Sequence, residues 1–137
     1  MIYGQDNSVP ALEWIKSSAH VFHLTGSRYF GNQSADSDWD FFVQDKADLQ
    51  QDLERAGFKC DEETYPGDPM FTSVWKKDNV HVQVVIHAGM KQKIQERLIP
   101  FMKTIKDKDQ RKKLWYLACH LYKDGVDGVS LYNVNLY

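Results

Sequence analysis

The side chains best suited to chemistry are concentrated between Leu24 and Phe42. Gly26-Ser27-Arg28 follows an apolar run, Val21 to Thr25. After ten intervening residues, Arg28 to Ser37, Asp38-Trp39-Asp40 opens a second apolar run built on Phe41, Phe42 and Val43. In a strand, residues two apart share a face, so Asp38 and Asp40 should project side by side, about 7 Å apart along the backbone, with Trp39 on the opposite, buried face. Two carboxylates held that way repel each other unless a cation lies between them. An oxygen-only pair suits Mg²⁺, which keeps several waters and borrows further ligands from a phosphate. Gly26 lets the backbone come close to a phosphate, Ser27 offers a hydroxyl and an amide, and Arg28 adds a forked cation. The pattern points to a polyphosphate and a metal meeting at one place. The plain alternatives are an acidic strand edge that deters aggregation, and an Arg28 that caps a loop or pairs with Asp36.

Other candidates carry less. His20 and His23 stand three apart with no thiol nearby, which favours a polar strand end over a zinc site. Asn32-Gln33-Ser34 matches a glycosylation acceptor, but Met1 to Pro10 has neither the basic nor the apolar region of a secretory signal. The charge is unevenly spread. Residues 1–90 hold 14 acids against 7 bases, whereas residues 91–113 hold 9 bases against 3 acids. Arg111-Lys112-Lys113, followed by Trp115 and Tyr116, is the part most like a nucleic-acid surface, although Trp115 reads as a core residue and a run of charge on helices is commonly just their water-facing side.

These residues need elements to hold them. Asn7 or Ser8 can cap a first helix with Pro10 in its opening turn and Leu12, Ile15 and Ala19 as its apolar stripe. Strands over Val21–Thr25 and from Trp39 follow, joined by a polar connection. Leu49, Leu53 and Ala56 mark a helix that Gly57 stops. Turn residues Tyr65 to Pro69 precede two strands, Met70–Lys76 and Val80–His87, linked at Asp78-Asn79. Met90, Ile94, Leu98, Met102 and Ile105 recur at helical spacing, with a kink or break expected at Pro100. Leu114, Trp115, Ala118, Leu121 and Tyr122 predict a last helix closed by Gly125, and Val129 to Tyr137 reads as a late strand or a strap. The order predicts one α+β domain: a core over about 8–87, a helical part over about 88–125 and a tail over 126–137.

At 137 residues, 42% hydrophobic and 13% aromatic, the chain can bury a core, which excludes global disorder. No apolar run reaches the length of a membrane span. Two cysteines, Cys60 and Cys119, make neither a metal pair nor a disulfide ladder, and the expectation is a reduced, cytoplasmic chain.

The strand, Gly26-Ser27, the gap and Asp38-Trp39-Asp40 together resemble the nucleotidyltransferase superfamily typified by DNA polymerase beta. The Gly-Ser-Arg start and the Ser-Asp-x-Asp-apolar finish most resemble its small, stand-alone members, the minimal nucleotidyltransferases. The resemblance implies a mixed sheet of about 4–5 strands flanked by helices. It also implies transfer of a nucleoside monophosphate from an NTP, ATP by default, to a hydroxyl acceptor by a two-metal mechanism. Gly26 and Ser27 would hold the triphosphate with Arg28 as a further contact, and Asp38 and Asp40 would bind Mg²⁺. Members of the superfamily carry a third carboxylate on a later strand; the matching strand here, Val80 to Ile86, offers His81 and Gln83 instead. His81 is the candidate third catalytic member, as a general base near its ordinary pKa of about 6.5. The missing carboxylate keeps a second reading open, a nucleotide- or partner-binding module of inhibitor or antitoxin type. The acceptor is open too, with RNA or protein contact through the basic segment 91–113 both compatible.

Overall fold

Alternation decides which way each strand faces, and the sheet shows the result. The structure is a computed structural model that describes residues 9–62 and 68–123. Its elements are α1 (Val9–Ser17), β1 (Phe22–Thr25), α2 (Gly26–Phe30), β2 (Trp39–Gln44), α3 (Leu49–Arg55), β3 (Lys59–Asp61), β4 (Phe71–Lys77), β5 (Val80–Val85), α4 (Ala88–Met102) and α5 (Lys108–Lys123). Among the described residues the strands form one mixed sheet in the order β1-β2-β5-β4-β3, with β2 and β5 parallel and the other neighbours antiparallel. This is an α+β fold with its sheet flanked by helices and two helices at the C-terminal end.

Each face of the sheet is buried under its own helices. Ala11, Leu12 and Ile15 of α1 and Leu49 and Leu53 of α3 pack with Phe41, Val43, Val80, Val82 and Val84 on one side. On the other side, Ile94, Leu98 and Met102 of α4 and Ala118 and Cys119 of α5 pack with Phe42 and Val85. Strand periodicity therefore puts Asp38 and Asp40 on the Phe42 side, toward α4 and α5, while Trp39 packs partly buried against the α1–α3 core. Among the described residues no helix is long and apolar enough to cross a membrane.

Several boundaries differ from the sequence expectation. The connection after Thr25 is not all loop: it begins with the one-turn helix α2, anchored by buried Phe30. The third strand of the chain, β3, was not expected, because Lys59-Cys60-Asp61 is exposed at the sheet edge and carries no apolar alternation. Ala19 lies beyond the end of α1, and Ile105 falls in the connection between α4 and α5. Pro100 does not break its helix in the middle; it sits on the exposed face of the last turn, and α4 ends two residues on. Asn7, Ser8, Tyr65, Pro66, Gly67, Gly125 and the tail lie outside the described residues.

Candidate active site

β1 delivers the chain to the site through Thr25, which is buried and pairs with Asp40 of β2 in register. Gly26 then turns away with φ +71°. A side chain at this position would place its Cβ 2.6 Å from Asp40 Oδ2. Only glycine allows the turn and the carboxylate to touch, both because of the positive φ and because of that contact. The turn is braced from behind. Thr25 Oγ1 donates to Gln95 Oε1 at 2.8 Å, and the Gln95 amide nitrogen donates to Leu24 O at 2.9 Å and to Gln92 Oε1 at 2.7 Å. Gln95 has no exposed surface, so its polar atoms must be satisfied inside the protein, and they are.

Asp40 is flanked on its other side by His81 of β5, its register partner across the parallel pair. His81 Nδ1 lies 3.4 Å from Asp40 Oδ1, and Nε2 lies 3.9 Å from Asp38 Oδ2. The imidazole thus spans both carboxylates. Its pKa is raised above the ordinary histidine value, chiefly by the hydrogen bond to Asp40; burial opposes the shift, the charges of Asp38 and Asp40 add to it, and Lys76 subtracts.

These groups lie at one end of a cleft of about 600 Å³. The opposite wall comes from α5, where Lys108, Arg111, Lys112, Trp115 and Tyr116 line the space. Their spacing is that of a single helical face. Arg111 is fixed there because its Nη1 donates to the carbonyls of Ile105 and Lys106 at 2.8 and 2.9 Å. The carboxylates of the cleft come from the sheet side and most of its cations from α5, with Lys76 of β4 a further cation on the sheet.

Compared with family models, curated proteins and solved structures, the chain matches none.

Gly26, Ser27, Asp38, Asp40 and His81 are all brought together in this cleft, and Gln83 lines it as well. Arg28 is not. Its guanidinium lies 4.1 Å from the centroid of the Trp39 ring and donates through Nε and Nη2 to Ser37 O at 3.2 and 2.7 Å. A planar cation stacks well on an indole, so Arg28 covers Trp39 and pins the segment leading into Asp38 rather than facing the cleft. Among the described residues, no group of three or more His, Cys, Asp or Glu is arranged to hold a metal ion. The oxygen donors lining the cleft include the Asp38 and Asp40 carboxylates and the Ser27 hydroxyl, together with Asp36.

Sequence reasoning missed Gln95, and it picked out Arg111, Lys112, Trp115 and Tyr116 without placing them in the same cleft as Asp38 and Asp40. Nothing local could reveal Gln95, which meets Thr25 across 70 residues of chain. The α5 wall did leave a trace: cations and aromatics at 108, 111, 112, 115 and 116 share one helical face.

Proposed function

We propose that this protein is an Mg²⁺-dependent nucleotidyltransferase that moves a nucleoside monophosphate from an NTP, ATP in the first instance, to a hydroxyl acceptor. The observation that carries the reading is the contact between the Gly26 turn and Asp40, at the acidic end of a cleft whose far wall is cationic. Such a cleft is complementary to a metal-bearing polyphosphate: metal toward Asp38 and Asp40, phosphate oxygens toward Ser27 and α5.

The fit to Mg²⁺ rests on donor chemistry. Two carboxylates two residues apart on one strand match an ion that takes one or two protein oxygens and completes its shell with water and phosphate. Lacking a Cβ, Gly26 lets the backbone turn come close to the Asp40 carboxylate. Held by Asp38 and Asp40, the ion would neutralise charge building up on the transferring phosphoryl group. The chain's own residues do the rest. Ser27 and the α5 cations hold the polyphosphate so that the acceptor oxygen can attack the α-phosphorus while the bond to the β-phosphate oxygen breaks and pyrophosphate leaves. His81, beside Asp40, is placed to take the acceptor proton in its neutral form, so transfer should rise with pH through the His81 titration. NTP chemistry of this kind fits a cytoplasmic protein with reduced Cys60 and Cys119.

The test is transfer of label from α-labelled ATP with Mg²⁺ to candidate hydroxyl acceptors. Asp38→Asn with Asp40→Asn should abolish it while leaving the fold intact by circular dichroism. A second reading is favoured by His81 standing opposite Asp40, where the superfamily that the sequence resembles places a carboxylate. On that reading the domain binds Mg²⁺–NTP and does not turn it over, so saturable binding with no label transferred would support it against the transferase. If ATP with Mg²⁺ leaves Tm unchanged, both readings fail, because a ligand at 100 times its Kd stabilises by about 2.7 kcal/mol.

A further inference from the structure

The basic charge of residues 91–113 does not all serve one purpose. Lys91 is fully buried, bound to Asp68 between Phe42 and Trp115. Lys108, Arg111 and Lys112 line the cleft. Lys103, Lys106 and Lys113 do not; they are exposed, Lys103 and Lys106 in the α4–α5 connection and Lys113 on α5 next to the lining residue Lys112. Lys103 follows Met102, a lining residue, and the backbone bearing Lys106 is held to the cleft wall by Arg111. Lys103, Lys106, Lys108 and Lys113 make no ion pair among the described residues. The acids between Lys103 and Lys113 are Asp107 and Asp109. They sit at the start of α5, where Asp107 Oδ1 accepts the Asp109 amide at 2.8 Å and both offset the helix dipole. Exposed cations on the α4–α5 connection and on α5 thus adjoin the cleft-lining residues in sequence.

A mononucleotide inside the cleft can engage the lining cations, Lys76, Lys108, Arg111 and Lys112; Lys103, Lys106 and Lys113 are not among the lining residues. Cations within the cleft and others adjoining it in sequence match a ligand with regularly spaced negative charge extending out of the cleft. We propose that the acceptor, on the transferase reading above, is the end of a single-stranded nucleic acid whose backbone follows Lys103, Lys106 and Lys113 into the cleft. Trp115 and Tyr116 favour an unpaired strand, since open base faces can stack on them and the paired bases of a duplex cannot. The terminal ribose supplies the hydroxyl that the Asp38–Asp40 end requires.

The experiment measures binding of the full chain to a short fluorescent uridine oligonucleotide, its deoxythymidine counterpart, a duplex of the same length and polyglutamate, across salt. About four phosphate contacts on a single strand give a slope of about −2.8 in log affinity against log salt, so affinity should fall about 50-fold between 50 and 200 mM. K103Q/K106Q/K113Q should lower strand affinity at least about tenfold and flatten the slope by about 2, with Mg²⁺–ATP affinity unchanged. Equal binding by RNA and DNA strands supports a phosphate-led surface, and tighter binding by RNA adds a role for the 2′-hydroxyl. Retained strand affinity in the triple variant overturns the proposal. So does polyglutamate binding as tightly as the strand, which would indicate an acidic protein partner, or a duplex binding as tightly as either strand. A wild-type protein that binds the strand but not Mg²⁺–ATP refutes the transferase reading, and with it the acceptor role, while the strand-binding surface itself stands.

Discussion

Gly26→Ala tests whether the turn and Asp40 depend on each other as the geometry indicates. Two costs apply. Alanine at φ +71° is left-handed and loses about 1–2 kcal/mol relative to its relaxed backbone. The new Cβ would also lie 2.6 Å from Asp40 Oδ2 and 3.2 Å from Asp40 Cβ. The carboxylate oxygen can swing aside, but the Cβ belongs to β2 and moves only with the strand. The total is about 2 kcal/mol or somewhat more, and at 137 residues each kcal/mol shifts Tm by about 3–5 °C, so a loss of about 6–10 °C is expected. Displacing the Asp40 carboxylate also weakens its hydrogen bond to His81, the main cause of that raised pKa. The His81 ring titration, followed by NMR in chelator, should therefore move down. Gly31→Ala is the control: it shares a positive φ of +81°, yet its Cβ would meet nothing within 4 Å. It should lose stability through the backbone alone and leave His81 unchanged. Equal effects of the two substitutions on His81, or none from Gly26→Ala, would refute the coupling.

Two further outcomes follow from the buried and half-buried charges. Because His81 is raised in the folded state, its stabilising contribution is complete below the ordinary pKa of about 6.5 and disappears as pH rises through the folded value. Urea unfolding in chelator should show wild type losing stability from pH 6 to pH 9 relative to Asp40→Asn. His23, lowered chiefly by burial, slopes the opposite way in both proteins and cancels from that difference; an identical pH dependence would contradict the assignment. Lys91→Met leaves Asp68 buried without its cation and should cost about 3–5 kcal/mol. Lys91→Met with Asp68→Asn should recover much of that, since an asparagine oxygen can still accept the Met70 amide at 2.9 Å; equal urea midpoints for the single and double variants would count against the pair.

Much of the layout was legible because burial writes itself into strands. The apolar runs at β1, β2, β4 and β5 announced themselves, and the alternation Asp38, Asp40, Phe42 correctly placed both acids on one face. What escaped was what depends on distant partners. β3 is an exposed edge that is held by pairing with β4 rather than by its own apolar side chains. α2 has one buried residue, Phe30, too few for a periodic signal. Arg28 looked like a phosphate ligand because its neighbours in sequence are Gly26 and Ser27. Its neighbours in space, Trp39 and Ser37 O, give it different work. The basic segment was visible as charge, but its division into a buried lysine, a cleft wall and exposed lysines depends on how α4 and α5 dock.

The brace between Thr25 and Gln95 has a consequence for the order in which the molecule comes together. A chain that has formed only β1, α2 and β2 already owns the turn and both carboxylates. It lacks the glutamine that fixes the turn from 70 residues away, the imidazole on β5 and the α5 cations. Long-range contacts of this kind carry the largest loop-closure cost. The cleft is thus completed only when the last helices dock. A half-folded chain carries the reactive residues without their geometry, and competence arrives together with the finished topology.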